Sequence, residues 1–217
     1  MSFRHLWDLP ADVPAGWAAR RRLAAALRDL SDRCVTTDLD AASLDALAAE
    51  AEALAARLPP GTTSSQHWAA GSYDEHVQEL IDRTALVGLS NPLAPPLDIT
   101  NDGTTARCEI VLGERFVGAP GLAHGGVIAA IYDQMMGHAV LWTDRSGLTV
   151  SLRVRYRLPT PLHTPLVFTA TVTEAQGRNT LVSAACHRDG ERLSSCEGHF
   201  VRIDPNRVQA VFGPDGR

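Results

Sequence analysis

Apolar side chains recur along this chain with two different periods, and the change of period divides it. Near the start, Leu23, Leu27, Leu30 and Cys34 are spaced by alternating steps of four and three, and Leu44, Leu47, Ala51, Leu54 and Leu58 are spaced likewise. Such spacing is the seam of a helix packed on another helix. The two segments predict an antiparallel helical hairpin over about residues 15–58, with Asp38 or Asp40 capping its second helix and Pro59-Pro60-Gly61 stopping it. Residues 59–72, with Pro-Pro-Gly and Thr-Thr-Ser-Ser, have linker composition and place a boundary there. A further helix is expected from Tyr73 to about Val87. Asn91-Pro92, Pro95-Pro96 and Asn101-Asp102-Gly103 then punctuate short extended pieces, with strands over 96–101 and 104–112.

One long helical pattern follows from about Gly125 to Trp142, and beyond it the period becomes two. Leu148, Val150, Leu152, Val154 and Tyr156 alternate with polar residues, as do Leu166, Phe168, Ala170 and Val172. Segments 178–187 and 192–203 are joined by Asp189-Gly190, a two-residue hairpin turn. A sheet with one apolar face needs a covering layer, and this half of the chain offers a single long apolar helix. The expected fold class is α+β, an antiparallel sheet wrapped around that helix. The expected organisation is a helical hairpin over 1–60, a linker and helix over 61–92, the sheet-and-helix domain over 93–204, and a tail over 205–217.

Composition narrows the function classes. A chain of 217 residues, 45% apolar, can bury one full core and carry an appendage. Its net charge of −5 gives no footprint for nucleic acid, which needs a basic domain or stripe. No apolar run reaches the ~20 residues that span a bilayer. Met1–Pro10 lacks the apolar stretch of a secretory signal, so a cytoplasmic protein with no membrane span is expected. Cys34, Cys108, Cys186 and Cys196 form no CxxC pair and have no histidine at zinc spacing, so they are expected to be reduced and structural. His5, His67, His76, His163, His187 and His199 show no ligand spacing either, and neither a metal nor another cofactor is expected. No Gly-x-Ser-x-Gly occurs, which sets aside an α/β-hydrolase mechanism.

The chemistry concentrates in Gly121-Leu122-Ala123-His124-Gly125-Gly126-Val127 and the helix it opens. Two glycines at a helix start leave backbone N–H groups open to a ligand, at the end where the helix dipole places about half a positive charge. An oxyanion developing there would be stabilised. Asp133 lies about two turns further on, with Ala129, Ala130, Met136 and Gly137 one turn away, a narrow face that admits another chain or a thin substrate. A carboxylate on so apolar a helix is costly to bury without a partner or a purpose. Without its surroundings Asp133 would read equally well as a surface residue of an amphipathic helix. Gln134 and His138 already supply polar positions, however, and the rest of the helix is small and apolar enough to be enclosed.

The run GLAHGGVIAAIYDQMMGHAVL, followed by LTVSLRVRYRLPTPL with its Tyr156-x-x-Pro159 strand end, resembles the hotdog-fold acyl-CoA thioesterases of the phenylacetate-degradation type, over about residues 93–203. The resemblance implies hydrolysis of acyl-CoA in lipid metabolism by a homodimer or dimer of dimers, with active sites between subunits. It also implies that Asp133 acts as general base or nucleophile and that the Gly125 N–H holds the carbonyl oxygen. His124 would orient substrate or the leaving sulfur, Gly126 would belong to the helix start, and Thr149 would place water. Gly118 stands where some members carry an asparagine that polarises the carbonyl. Thr149 shares strand parity with Ser151 and Arg153, opposite to the apolar set. It therefore reaches such a site only across a subunit interface or through a bulge.

Arg153, Arg155 and Arg157 align on one strand face, and Arg178 sits in the turn after Gly177. They are candidates for the phosphates of coenzyme A, which guanidinium groups meet bidentately; otherwise they form a solvated face paired with acidic side chains. Two further functions fit the same segment. A hydratase would pair Asp133 with His138, but five helical residues turn through ~500° and leave the two side chains about 140° apart. A non-catalytic acyl-CoA-binding protein would use the helical hairpin as a partner surface.

Overall fold

The computed structural model describes residues 12–202 apart from Pro96 and Ser146, so the tail expected over 205–217 lies outside the described residues. The helices are α1 (Ala15–Thr36), α2 (Ala41–Ala56), α3 (Ser64–Ala69), α4 (Tyr73–Ile81) and α5 (Gly125–Trp142). The strands are β1 (Ile99–Asn101), β2 (Thr105–Val111), β3 (Leu148–Tyr156), β4 (Pro165–Gln176), β5 (Asn179–Arg188) and β6 (Glu191–Val201). They form one antiparallel sheet in the order β1-β2-β4-β5-β6-β3, and every strand of it touches α5. A sheet wrapped on one central helix is the hotdog fold.

Local chemistry explains the joints. Asp189 and Gly190 both have positive φ, 51° and 83°, as a two-residue hairpin loop matched to strand twist requires. Ile128, Ile131, Tyr132, Met135 and Met136 direct α5 into the sheet and are at most 1% exposed. Close approach is allowed by Gly198 on β6, where a Cβ would lie 2.7 Å from the Met136 sulfur. The Tyr132 hydroxyl, buried with them, bonds the Ser194 hydroxyl at 2.7 Å, which meets the need of a buried polar group for a partner.

The N-terminal helices depart from expectation. α1 is fastened to the segment after α4 by polar clasps. The fully buried Asp82 carboxylate accepts from Trp17 Nε1, from Arg21 Nε at 3.1 Å and Nη2 at 3.0 Å, and from the Ser90 hydroxyl. Arg28 donates to the Leu89 and Asn91 carbonyls at 3.1 and 2.8 Å. The expected pairing of the two leucine seams is not made. No α2 residue is buried, and Leu44, Leu47, Leu54 and Leu58 are exposed. The reason is geometric: the clasps turn the buried face of α1 toward residues 82–91, and Thr37 and Asp40 are both extended, leading α2 away. Asp40 does cap α2, accepting the Ser43 N–H at 2.8 Å. The linker contains the short α3, closed by a Thr63–Gln66 capping box. α4 stops at Ile81, six residues before the expected Val87, because the chain turns at Asp82 to bring Ser90 back onto it; the Ser90 N–H donates to the Asp82 carbonyl at 2.9 Å.

Candidate active site

The loop before α5 fixes which backbone donors are open. His124 is the N-cap, and its Nδ1 accepts the Gly126 N–H at 3.0 Å, so the ring carries its hydrogen on Nε2. Gly126 is thereby engaged, whereas the Gly125 N–H has no acceptor among the described residues. Of the two glycines, one offers a free donor at the positive end of the helix. The Tyr156 hydroxyl donates to the Gly125 carbonyl at 2.6 Å and ties this end of α5 to the end of β3. The sequence marks Tyr156 only as an apolar strand position and a motif residue. An open cleft of about 610 Å³ lies here, lined by His124, Gly125, Tyr156, Arg157, Pro159 and Thr160 among others. At Gly118 a Cβ would stand 2.7 Å from the His124 Cα, so an asparagine does not fit this loop, and the second side-chain donor found in some relatives has no room here.

Asp133 is half-buried on the strip of α5 that the sheet leaves uncovered. Ala129, Ala130 and Gly137 share that strip, and a Cβ at Gly137 would meet nothing within 4 Å. Met136, expected beside them, turns into the core instead. The Thr149 hydroxyl donates to Asp133 Oδ1 at 2.7 Å. Strand parity had opposed this contact, and a β-bulge resolves it. Thr149 pairs with Phe200 and Ser151 with His199, leaving Val150 as the extra residue and turning Thr149 to the helix side. The same bulge leaves Leu148 and Val150 57% and 59% exposed, off the core they were expected to join. Nearby, burial pushes the Cys196 thiol up to about 11, and the Asp133 charge adds to the effect. Gly125 and Asp133 are eight residues apart, which separates them by ~12 Å along the helix axis.

The arginines are not one cluster. Arg155 pairs with Glu197 at 3.3 Å, both side chains 60% exposed. Arg153 lines a separate hollow on the outer sheet face with Ser151, Glu197 and His199. Arg178 bonds the Arg202 carbonyl at 3.2 Å, near the Leu148 end of β3 and the length of that strand away from Tyr156. Arg157 borders the cleft at the start of α5. His138 does not meet Asp133. It is 3% exposed, stacks on Trp142 at 5.9 Å, and burial lowers its pKa to about 4, so the hydratase pair is not assembled. No described helix is long and apolar enough to cross a membrane. Among the described residues, no group of three His, Cys, Asp or Glu converges as metal ligands do.

Known proteins are similar to this chain in sequence and in fold. A family model described as the thioesterase superfamily matches residues 120–195, which include His124, Gly125, Asp133 and Thr149. Acyl-coenzyme A thioesterase THEM4 of Bos taurus is 28% identical over 109 residues, 49% of this chain and 45% of that protein. The Mus musculus protein of the same name is 29% identical over 97 residues, 44% of this chain and 42% of that one. The chain thus spans less than half the length of these relatives. A crystal structure of a thioesterase superfamily protein superposes with a TM-score of 0.73 at 30% identity, covering 88% of this chain and 93% of the other. With that likeness running through nearly the whole of both chains, this protein belongs to the thioesterase superfamily.

Proposed function

We propose that the chain hydrolyses acyl-CoA thioesters to a carboxylic acid and free coenzyme A, in a site completed by two copies of the chain. The observation that carries the reading is the Asp133 carboxylate. It stands on the uncovered strip of an apolar helix, and Oδ1 is held by Thr149 while Oδ2 has no partner among the described residues. Acting as general base, Oδ2 takes a proton from water, the water oxygen adds to the thioester carbonyl, the C–S bond breaks and the sulfur receives the proton. Acting as nucleophile, it adds to the carbonyl, the C–S bond breaks to release the coenzyme A thiolate, which takes a proton from solvent, and water then opens the mixed anhydride to regenerate Asp133 and free the carboxylic acid. In either case negative charge develops on the carbonyl oxygen, where the Gly125 N–H and the dipole of α5 stabilise it.

The ~12 Å between Gly125 and Asp133 of one chain exceeds what a single carbonyl can bridge. Donor and carboxylate therefore come from different copies, and the uncovered strip of small residues gives the second copy its approach. Names support the substrate class: the similar proteins are acyl-coenzyme A thioesterases. The nucleotide half of the substrate would lie toward Arg157.

Release of free thiol from a panel of short, medium, long and aromatic acyl-CoAs tests the reading, with Asp133→Asn alongside. The substitution is nearly isosteric and removes the base or nucleophile, so kcat should fall by orders of magnitude with the fold retained. A variant keeping more than about a tenth of wild-type kcat overturns the assignment of Asp133. A wild-type protein that binds acyl-CoA without releasing thiol favours the binding-protein reading.

A further inference from the structure

We infer that α1, which lies outside the family-matched residues, positions the oxyanion donor through Asp32; the inference rests on the thioesterase reading above. Between β2 and α5 the chain makes a 3-10 turn over Glu114–Phe116 with no side-chain cap of its own. The cap comes from 83 residues away: Asp32 Oδ1, near the C-terminal end of α1, accepts the Arg115 N–H at 3.0 Å, and Oδ2 pairs with the Arg115 guanidinium. A carboxylate at the start of a helical turn is where backbone donors and dipole favour one.

The residue before the turn is shaped for this guest. A Cβ at Gly113 would lie 2.7 Å from Asp32 Oδ1, so the lack of a side chain there is what lets the carboxylate in. The far side of the turn leads directly to the donor. Phe116 is buried in the core under the Arg115 guanidinium, which lies 4.5 Å from its ring centre. The Phe116 carbonyl accepts the His124 N–H at 2.8 Å, and Val117 bridges Ala123 one step further in. His124 caps α5, and the next residue is Gly125. Asp32, Arg115, Phe116, His124 and Gly125 thus form a short chain, in which the Arg115 N–H to Asp32 and the His124 N–H to the Phe116 carbonyl are the two hydrogen bonds and the other links are peptide bonds. Asp32 is a positioning residue, touching neither substrate nor the reacting atoms.

An oxyanion donor is used more in the transition state than in the ground state, so a slack loop should lower kcat and spare KM. Asp32→Ala is expected to lower kcat about tenfold with KM within about twofold, short of the ~10²–10³ that removal of a donor costs. Asp32→Asn keeps an acceptor for the Arg115 N–H and should recover most of the loss. Gly113→Ala, made in a chain whose Asp32 is intact, should push the carboxylate away and reproduce the defect. Amide exchange of His124 should quicken in Asp32→Ala and Gly113→Ala, while the core amides of β5 stay protected.

An Asp32→Ala protein with wild-type kcat overturns the inference, as does a fall in kcat that leaves His124 exchange unchanged. So does a uniform loss of protection in both Asp32→Ala and Gly113→Ala, because it would make Asp32 a general stability contact. If the wild-type chain itself releases no thiol, the functional reading fails instead, and the exchange measurement alone still decides whether Asp32 holds the loop.

Discussion

The two faces of α5 obey different rules. On the inner face Ile128, Ile131, Tyr132 and Met135 are at most 1% exposed, and each side chain has the size that β4, β5 and β6 leave for it. On the outer face Ala130, Asp133 and Gly137 stay half-buried, on the strip that the sheet leaves uncovered. Gly137 makes the point, since a Cβ there would enter open space. Close packing explains the first face, where loss of volume leaves a cavity and lowers stability. On the proposed two-copy reading, the second face answers to what approaches from outside. Substitutions there should change activity and leave stability alone.

The largest effect expected from that contrast is a recovery of activity from two inactive proteins. Gly125→Pro deletes the open N–H, and Asp133→Asn deletes the carboxylate; each should be inactive by itself. In a mixed dimer one site receives both defects, and the other receives an intact Gly125 from one chain and an intact Asp133 from its partner. Equimolar mixing with full subunit exchange gives half mixed dimers with one good site in two, so activity should return to about a quarter of wild type. A mixture that stays inactive although exchange is demonstrated by mass would place both groups in one chain's site and break the two-copy reading.

The inner face should respond to pH instead. Burial lowers the His138 pKa from an ordinary 6.5 to about 4, so the folded protein holds this ring neutral where the unfolded chain would protonate it. Between those values the unfolded state binds more protons, and stability rises with pH. The contribution is fully present above about pH 6.5 and is lost as pH falls toward 4, on the order of 2–3 kcal/mol by pH 4.5. Urea unfolding at pH 7.5 and 4.5 should show this loss in the wild type and a smaller one in His138→Leu. Equal losses in the two proteins would mean that His138 titrates in the folded state much as it does unfolded.

Legibility in the sequence followed the range of the interactions. The bounds of α5 were readable because its signals are local: a capping residue, two glycines and an apolar run ending at Trp142. The Asp189-Gly190 hairpin was readable for the same reason. The Asp133–Thr149 contact was half readable, since the motif paired the residues while a strict period of two put Thr149 on the wrong face; a bulge at Val150 leaves no mark in the alternation. The leucine spacing of α1 and α2 announced a seam without naming its partner. What decided the partner of α1 was Asp82, an acidic residue whose three side-chain donors lie up to 65 positions away. Asp32 was invisible for the same reason, with its partner 83 positions on. Gly118 read as a missing donor, and only the closeness of His124 shows that no larger residue fits.

The smallest expected effect concerns the arginines, where equal exposure hides unequal surroundings. Arg155 has Glu197 beside it, and an exposed pair of this kind contributes little. Arg157 stands at the rim of the cleft that begins at Gly125 and also borders a hollow with Arg192 and His187. If the phosphates of coenzyme A pass this rim, Arg157→Gln should raise KM for an acyl-CoA a few-fold at low salt and leave kcat nearly unchanged, because the charge acts on ground state and transition state alike. The difference should shrink as salt rises, since an exposed pair is screened over ~8 Å at physiological ionic strength. Arg155→Gln, which removes a charge already neutralised by Glu197, should change KM less than Arg157→Gln does. An acyl thioester of N-acetylcysteamine keeps the reacting group and lacks the nucleotide, so its KM should be indifferent to both substitutions and to salt. Were Arg157→Gln to raise KM equally for the truncated substrate, the side chain would be shaping the cleft wall and not meeting phosphate. Were it to leave KM for acyl-CoA unchanged at low salt, the nucleotide would be held away from this rim, and the outer face of α5 would have to supply its binding as well as its chemistry.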